Sequence, residues 1–472
     1  MNNLVKTLIN QMSITTGTAL TDEHLRVLEY AYSFYEKNRV GPLYQNIKRH
    51  TGVTKETIEQ LFPYGLNSVY TWVGIPIYSA DKGCKPFVSI AVDNAQQVYL
   101  DYNGTTPLRP EIVQVLSRYQ SDSVGFGNAS SSTTLGKHAY DLVYKARRQL
   151  ADCLSVSAEE IIFTGSGSEA NNLALKGLAF QHLAHKGHII ASEIEHPSVL
   201  RTLEFLQQLG FVVTYLRIEP DGHISPQVVK DHLRPNTLLV SIMAANNEIG
   251  VINPLAEIGQ ICQAAGVPFM VDAVQGFGKI PLRPKSLGIS LLSMSGHKIY
   301  APKGVGALFV DKSITLTPLV HGGGQEFGLR AGTENVGAII ALGHAARLAH
   351  TEMKRENERL LRLRNFFLAE LQRIVPDVIV NGSLEHRLAN NLNVGFPDID
   401  SGSLLLSLNQ IGVYVSAGSA CSAGSRSVSH VISALSVDTE RYGIIRFSFG
   451  LQTTQSDLEY LLNYLPQILN QL

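Results

Sequence analysis

The sequence predicts an α/β fold: a mainly parallel sheet covered by helices, followed by a smaller C-terminal α/β lobe and preceded by a small, mainly helical domain. Three observations carry this. From about residue 98, apolar runs alternate with helical segments and end in polar residues, as in GHIIASEIEHPS, TLLVSIMAANNEIG, VPFMVDAVQ and ISLLSMSGHKIYAPKG. That is the pattern of parallel strands whose carboxyl ends face a ligand. Residues 1 to about 88, by contrast, are rich in Tyr and poor in Val/Ile strands, and a long helical stretch from about 335 to 375 leads toward the end of the chain. The expected division is 1–88, 98–350 and 351–472.

Taken in order, LTDEHLRVLEYAYSFYEKN places Leu25, Leu28, Tyr32 and Tyr35 at helical spacing. Thr21 is its N-cap, Asp22 and Glu23 give an acidic first turn, and Gly41 and Pro42 end it. TKETIEQLF is a second short helix, closed by Pro63 and Gly65, and GIPIYSADKGCKP reads as an irregular, exposed tail. QVYLDYN is a short strand with a turn, EEIIFTGSGSEANNLALKGLA a strand, glycine loop and helix, and SHVISAL a late helical piece.

Composition excludes several classes. With 472 residues, 44% hydrophobic and 17% charged, the chain is not disordered. A net charge of −1 gives no general footprint for stable nucleic-acid or anionic-membrane binding. No stretch approaches the roughly 20 apolar residues that span a bilayer. The first twenty residues are broken by Lys6, Asn10 and Gln11 and lack a signal-peptide core, so a soluble, cytoplasmic protein is expected. The four cysteines, Cys84, Cys153, Cys262 and Cys421, form neither a disulfide framework nor a CxxC zinc pair, and no metal is expected. Cys153 and Cys262 lie in helical segments and read as buried structural thiols.

Five features carry chemistry. The loop in FTGSGSEANN lets backbone N–H groups approach an anion at a helix N-terminus, although a plain tight turn looks the same. Lys298, in SGHKIYAPKG at the end of an apolar strand, is a candidate Schiff-base lysine; a surface loop lysine is the bland alternative, and Lys303 is a competing choice. Asp272 ends the run VPFMV, where a carboxylate pairs with a pyridinium or caps the next helix. Gln275 and Asn247 are amides placed to touch a phenolic oxygen, and His196 an imidazole placed to stack on a ring. Together, and all at strand ends, these residues point to pyridoxal phosphate.

From about residue 98 to the end, the chain resembles the class V aminotransferase-fold cysteine desulfurases of the NifS/IscS kind. The likeness rests on YLDYNGTTP, GFGNASS, FTGSGSEANN, EHPSV, NNEIGV, VDAVQ, SGHKIYAPKG, GGGQEFGLRAGTEN, SAGSACSAGS and IRFSFG. It implies the fold type I architecture of pyridoxal-phosphate transferases, with a seven-stranded sheet. Lys298 then matches the Schiff-base lysine, Asp272 the pyridinium partner, His196 the stacking imidazole, and Asn247 and Gln275 the phenolic-oxygen contacts. Gly167, Ser168, Ser295 and His297 match the phosphate cup. Thr333 matches the residue that reaches the phosphate from a second subunit, which implies a homodimer. The usual Ala-Thr of the phosphate loop is Gly167-Ser168 here, which keeps the hydroxyl.

Cys421 sits among Gly and Ser residues in a segment that reads as a mobile loop, suited to a reactive thiol. The resemblance makes it the nucleophile that takes sulfur from L-cysteine, leaving alanine and a persulfide for protein sulfur acceptors in tRNA thiolation or iron–sulfur cluster assembly. Arg446 matches the arginine that pairs with the substrate carboxylate, for which a bidentate fork is suited. Residues from about 20 to 86 resemble the DsrC/TusE sulfur-relay proteins, through LTDEHLRVLEYAYSFYEKNRVGP, LFPYGLNSVYTWVGIP and GCKP. That likeness makes Cys84, flanked by Lys82 and Lys85, a sulfur-accepting cysteine. It lies 14 residues before Val98, a linker reaching at most ~50 Å, which favours a high effective concentration. A selenocysteine lyase or other β-eliminating enzyme of the fold is the alternative activity, and a catalytically inactive sulfur-relay scaffold the non-enzymatic one.

Overall fold

The computed structural model describes residues 5–6, 9–10, 12–13, 18–38, 41–62, 65–73, 96–417 and 429–472. The segments around Cys84 and Cys421 lie outside these residues, as does the stretch read as an irregular tail.

The N-terminal part forms helices Asp22–Asn38, Tyr44–Thr51, Lys55–Leu61 and Leu66–Trp72. Thr21 caps the first, its Oγ1 accepting from the His24 N–H at 3.4 Å. The buried stripe of that helix is His24, Val27, Leu28 and Ala31. Leu25, expected in the stripe, is exposed. His24 takes an inward place because both ring nitrogens are satisfied, Nδ1 with Thr21 Oγ1 at 2.8 Å and Nε2 with Leu61 O at 2.9 Å. Val27, Leu28, Ile47, Ile58, Phe62 and Trp72 join in one small core.

Strand β1 is Val98–Tyr99. The main sheet follows: β2 Ile161–Thr164, β3 His188–Ser192, β4 Val212–Leu216, β5 Thr237–Ser241, β6 Phe269–Asp272, β7 Leu291–Ser295 and β8 Gly306–Val310. Its order is β2-β8-β7-β6-β5-β3-β4. β7, β6, β5, β3 and β4 run parallel, and β8 runs antiparallel to both β7 and β2. Most of these strands are wholly buried apolar runs, as a sheet covered on both faces requires. The parallel order brings the carboxyl ends of β5, β6 and β7 side by side.

The second lobe is a sheet of β9 Ile379–Val380, β10 Asn391–Pro397 and β12 Tyr442–Ser448, in the order β12-β10-β9, beside β11 Val413–Tyr414. One helix, Val336–Ile374, joins the two cores: Val336, Ala341 and Ala345 pack into the larger, and Leu363, Phe367 and Leu371 into the smaller. The expected boundary at 350/351 therefore falls inside a continuous helix. Strand β1, expected with the large domain, pairs in parallel with β11, and Val98 and Leu100 pack into the smaller core. The residues that follow β1 thus pass from the small lobe to the large one.

Candidate active site

β7 ends at Ser295, and one 3-10 turn, Gly296–Lys298, carries Lys298 to the sheet's carboxyl edge. Its Nζ donates to the carbonyls of Asn103 and Gly104, each at 2.6 Å. Asn103 is a junction. Its carbonyl also accepts from Gln275 Nε2 at 2.9 Å. Its Nδ2 donates to Asn247 O at 3.1 Å, and its Oδ1 accepts from Asn390 Nδ2 at 3.0 Å. Its own N–H reaches Ser448 Oγ at 2.9 Å. One buried asparagine so gathers the loops after β5 and β6, the lysine after β7, and the small lobe.

Asp272, the buried last residue of β6, accepts from Asn171 Nδ2 at 2.7 Å and from the Val274 N–H at 2.9 Å. Asn171 also donates to Ser198 Oγ at 2.8 Å, and Ser198 Oγ lies 2.8 Å from His196 Nδ1. His196 caps helix Pro197–Gln208, its Nδ1 accepting from the Ser198 N–H at 3.1 Å. An accepting Nδ1 puts the proton of the neutral ring on Nε2. Burial lowers the His196 pKa, opposed by Asp272 and reinforced by Lys298, which favours that neutral form. The neighbouring Glu195 is fully buried, and burial pushes its carboxyl up to about 8. Its Oε1 accepts from Ser192 Oγ at 2.5 Å and from the Met243 N–H at 2.8 Å.

At the other end, Gly167 opens helix Gly167–Phe180, capped by Ser166 Oγ, which accepts from the Glu169 N–H at 3.1 Å. Gly167 faces the end of β7: a Cβ there would lie 2.7 Å from Val274 Cγ2 and 3.1 Å from Ser295 Cβ. The glycine thus lets the cradle of helix N-terminal N–H groups pack closely against Val274 and Ser295. Ser168 is exposed at its rim. His297 Nδ1 is 3.1 Å from Thr105 Oγ1. Burial pulls its pKa down to about 4, with Lys298 and Lys303 adding to the effect. Thr333 stands elsewhere: it is exposed and lines a cavity with Gly165, Gly304 and Arg330.

Arg446 projects from β12 and is buried. Nη2 pairs with Asp101 Oδ1 at 2.5 Å and Nη1 donates to Asn247 O at 3.1 Å, while buried Nε has no acceptor among the described residues. Asn247 therefore meets the guanidinium through its backbone carbonyl. Cys421 and Cys84 fall outside the described residues. Cys153 and Cys262 are buried free thiols, both pushed up to about 12 by burial. Among the described residues there is no cluster suited to a metal ion, and no helix long and apolar enough to cross a membrane.

Sequence reasoning did not single out Asn103, Asp101, Asn171 or Glu195. The available signal is their position: Asp101 and Asn103 close the apolar run of YLDYN, and Glu195 closes that of HIIASEIE, as Asp272 closes VPFMV.

An Aminotransferase class-V family model matches residues 98–461. The chain is 46% identical over 379 residues to a cysteine desulfurase IscS of Dictyoglomus turgidum, covering 80% of this chain and 95% of that one. It is 43% identical over 385 residues to a cysteine desulfurase IscS of Methanosarcina thermophila, covering 81% and 94%. A solved structure described as a NifS-like protein superposes with a TM-score of 0.75 at 34% identity, over 80% of this chain and 100% of that one. DndA from Streptomyces lividans superposes with a TM-score of 0.63 at 36% identity, over 76% and 99%.

Proposed function

The chain belongs to the class V aminotransferase family and, within it, to the cysteine desulfurases, and from that premise we propose how its residues divide the work on L-cysteine. The observation that carries the reading is Lys298 Nζ, held by the Asn103 and Gly104 carbonyls at a sheet edge shared with buried Asp272 and Gln275.

The donor set fits pyridoxal phosphate. The helix N-terminus at Gly167 suits the phosphate, with Ser168 next in the chain and Ser295 packed against it, and the resemblance adds His297 to the same cup. Lys298 supplies the amine that holds the aldehyde, Asp272 the carboxylate for the ring nitrogen, His196 the ring face, and Asn247 and Gln275 the contacts to the phenolic oxygen. When bound, the cofactor supplies an electron sink for the substrate's α-carbon.

Arg446 holds the α-carboxylate through its fork. Lys298 takes the α-proton once its amine is free, and His196 serves proton transfer from Nε2. The Cys421 thiolate attacks the substrate sulfur: an S–S bond forms as the substrate's Cβ–S bond breaks. The carbon fragment takes a proton and leaves as alanine, so the sulfur moves with no outside oxidant. Cys84 is the next acceptor, passing sulfur to a protein partner in tRNA thiolation or cluster assembly. The N-terminal helices then serve as a DsrC/TusE-like carrier. Thr333, exposed in one chain, completes the phosphate site of a second copy in a homodimer. Free reactive thiols of this kind suit a reducing, cytoplasmic setting.

The test is to incubate the protein with L-cysteine without reductant, quantify alanine, and map persulfides by mass spectrometry on the wild type and Cys421→Ala. Alanine, with persulfide on Cys421 and Cys84 in the wild type and on neither site in the variant, is expected. Persulfide on Cys421 alone removes the relay, and absence of alanine removes the desulfurase reading.

A further inference from the structure

Lys279 is a partly buried lysine whose Nζ donates to Gln275 Oε1 at 3.0 Å. The other end of that amide donates from Nε2 to Asn103 O at 2.9 Å, the carbonyl that Lys298 Nζ meets at 2.6 Å. The two lysines are therefore linked through one glutamine and one carbonyl. Both line a cavity with Arg109, Tyr300, Glu352 and Glu356. The carboxylates there are engaged elsewhere: Glu352 takes two bonds from Arg109, each 2.8 Å, and Glu356 takes Arg359 at 3.0 Å. No carboxylate pairs with Lys279 among the described residues, so its polar contact within the site is Gln275. Asn357 on the long helix fixes its backbone, donating to Lys279 O at 2.6 Å.

An amide is nearly symmetric in shape, and its orientation is set by its partners. The Asn103 carbonyl only accepts and the Lys279 ammonium only donates, so both partners turn Gln275 Oε1 to Lys279 and Nε2 toward Asn103 O, which Lys298 shares. We infer that Lys279 is a positioning residue that holds the Gln275 N–H toward Lys298 and thereby sets the proton affinity of the centre Lys298 forms with its cofactor. This rests on the assignment of Lys298 and Gln275 to pyridoxal phosphate. Burial pulls the Lys279 amine down to about 7, with Lys298 and Arg446 contributing.

The experiment is a spectroscopic pH titration of the cofactor's visible band in purified holoenzyme. The variants are Lys279→Met, Gln275→Leu and the double variant. Loss of a directed donor at the phenolic oxygen disfavours the deprotonated form, so Lys279→Met is expected to raise the midpoint by about one pH unit. Gln275→Leu should do the same, and the double variant should add nothing to the larger single shift. Lys279→Ala, which removes the amine without refilling the cavity, carries the same expectations should the methionine variant not fold. An unchanged midpoint in a folded Lys279 variant overturns the inference. So does an equal Lys279→Met shift in the Gln275→Leu background, which would mean that charge alone acts. A wild type without any visible band when supplied with cofactor overturns the assignment of Lys298 as well, which separates the two failures.

Discussion

Asp101 and Arg446 form an ion pair, Oδ1 to Nη2 at 2.5 Å, that joins the turn after β1 to β12. The guanidinium is also anchored by Asn247 O. With two nitrogens engaged and Nε without an acceptor among the described residues, the plane of Arg446 is fixed before any carboxylate arrives. Arg446→Lys keeps the charge and loses the planar fork. Its expected effect is a KM for L-cysteine raised about 10- to 100-fold, the loss of one to two charge-assisted hydrogen bonds, with kcat changed much less. Steady-state kinetics decides it, and an unaltered KM would remove Arg446 from substrate binding.

Gly167→Val puts a Cβ 2.7 Å from Val274 Cγ2 and 3.1 Å from Ser295 Cβ and adds two methyls beyond it. A branched side chain does not fit there, so the expected damage is local: overpacking that shifts the phosphate cradle and costs about 1–3 kcal/mol. Cofactor retention measured by absorbance after dialysis should fall at least tenfold in a protein whose circular dichroism is unchanged. Full retention would show that the cradle is not the phosphate site.

His188 and His297 both have pKa values drawn down to about 4 by burial, from an ordinary 6.5. The unfolded chain binds more protons than the folded one between those values. Their contribution to stability is therefore complete above 6.5 and is lost as pH falls toward 4. His188 is the cleaner probe, being buried between Thr237 Oγ1 at 3.0 Å and Thr214 Oγ1 at 2.8 Å, away from the proposed chemistry. Urea unfolding at a series of pH values should show stability falling from pH 6.5 to 4, and His188→Asn should flatten that fall by one proton. An identical slope in the variant would exclude His188 as its source.

The carboxyl-edge residues were legible because a parallel strand announces itself by an apolar run, and its functional tip by the first polar residues after it. Lys298, Asp272 and His196 all stand at such tips. Asn103 and Asp101 were not singled out because their roles exist only once the small lobe folds back. Ser448, Asn390 and Arg446, more than 280 residues away along the chain, supply their partners. The reversed direction of β8 was equally hidden, since GALFV is a buried run whichever way it points. Helix Tyr44–Thr51 escaped notice because it buries only Ile47, too little to give a periodic pattern.

The helix Val336–Ile374 runs unbroken for 39 residues, about 58 Å at 1.5 Å per residue. Each residue of such a rod also turns whatever follows it by about 100°. The rod is thus a ruler and a protractor at once: its residue count fixes both how far apart the two lobes stand and how they face. Adding or deleting a single residue near Thr351 would swing the buried Leu363–Leu371 face away from its core, and with it β12 and Arg446. Loops elsewhere can change length at small cost, whereas in this segment the number of residues is itself part of the active-site geometry.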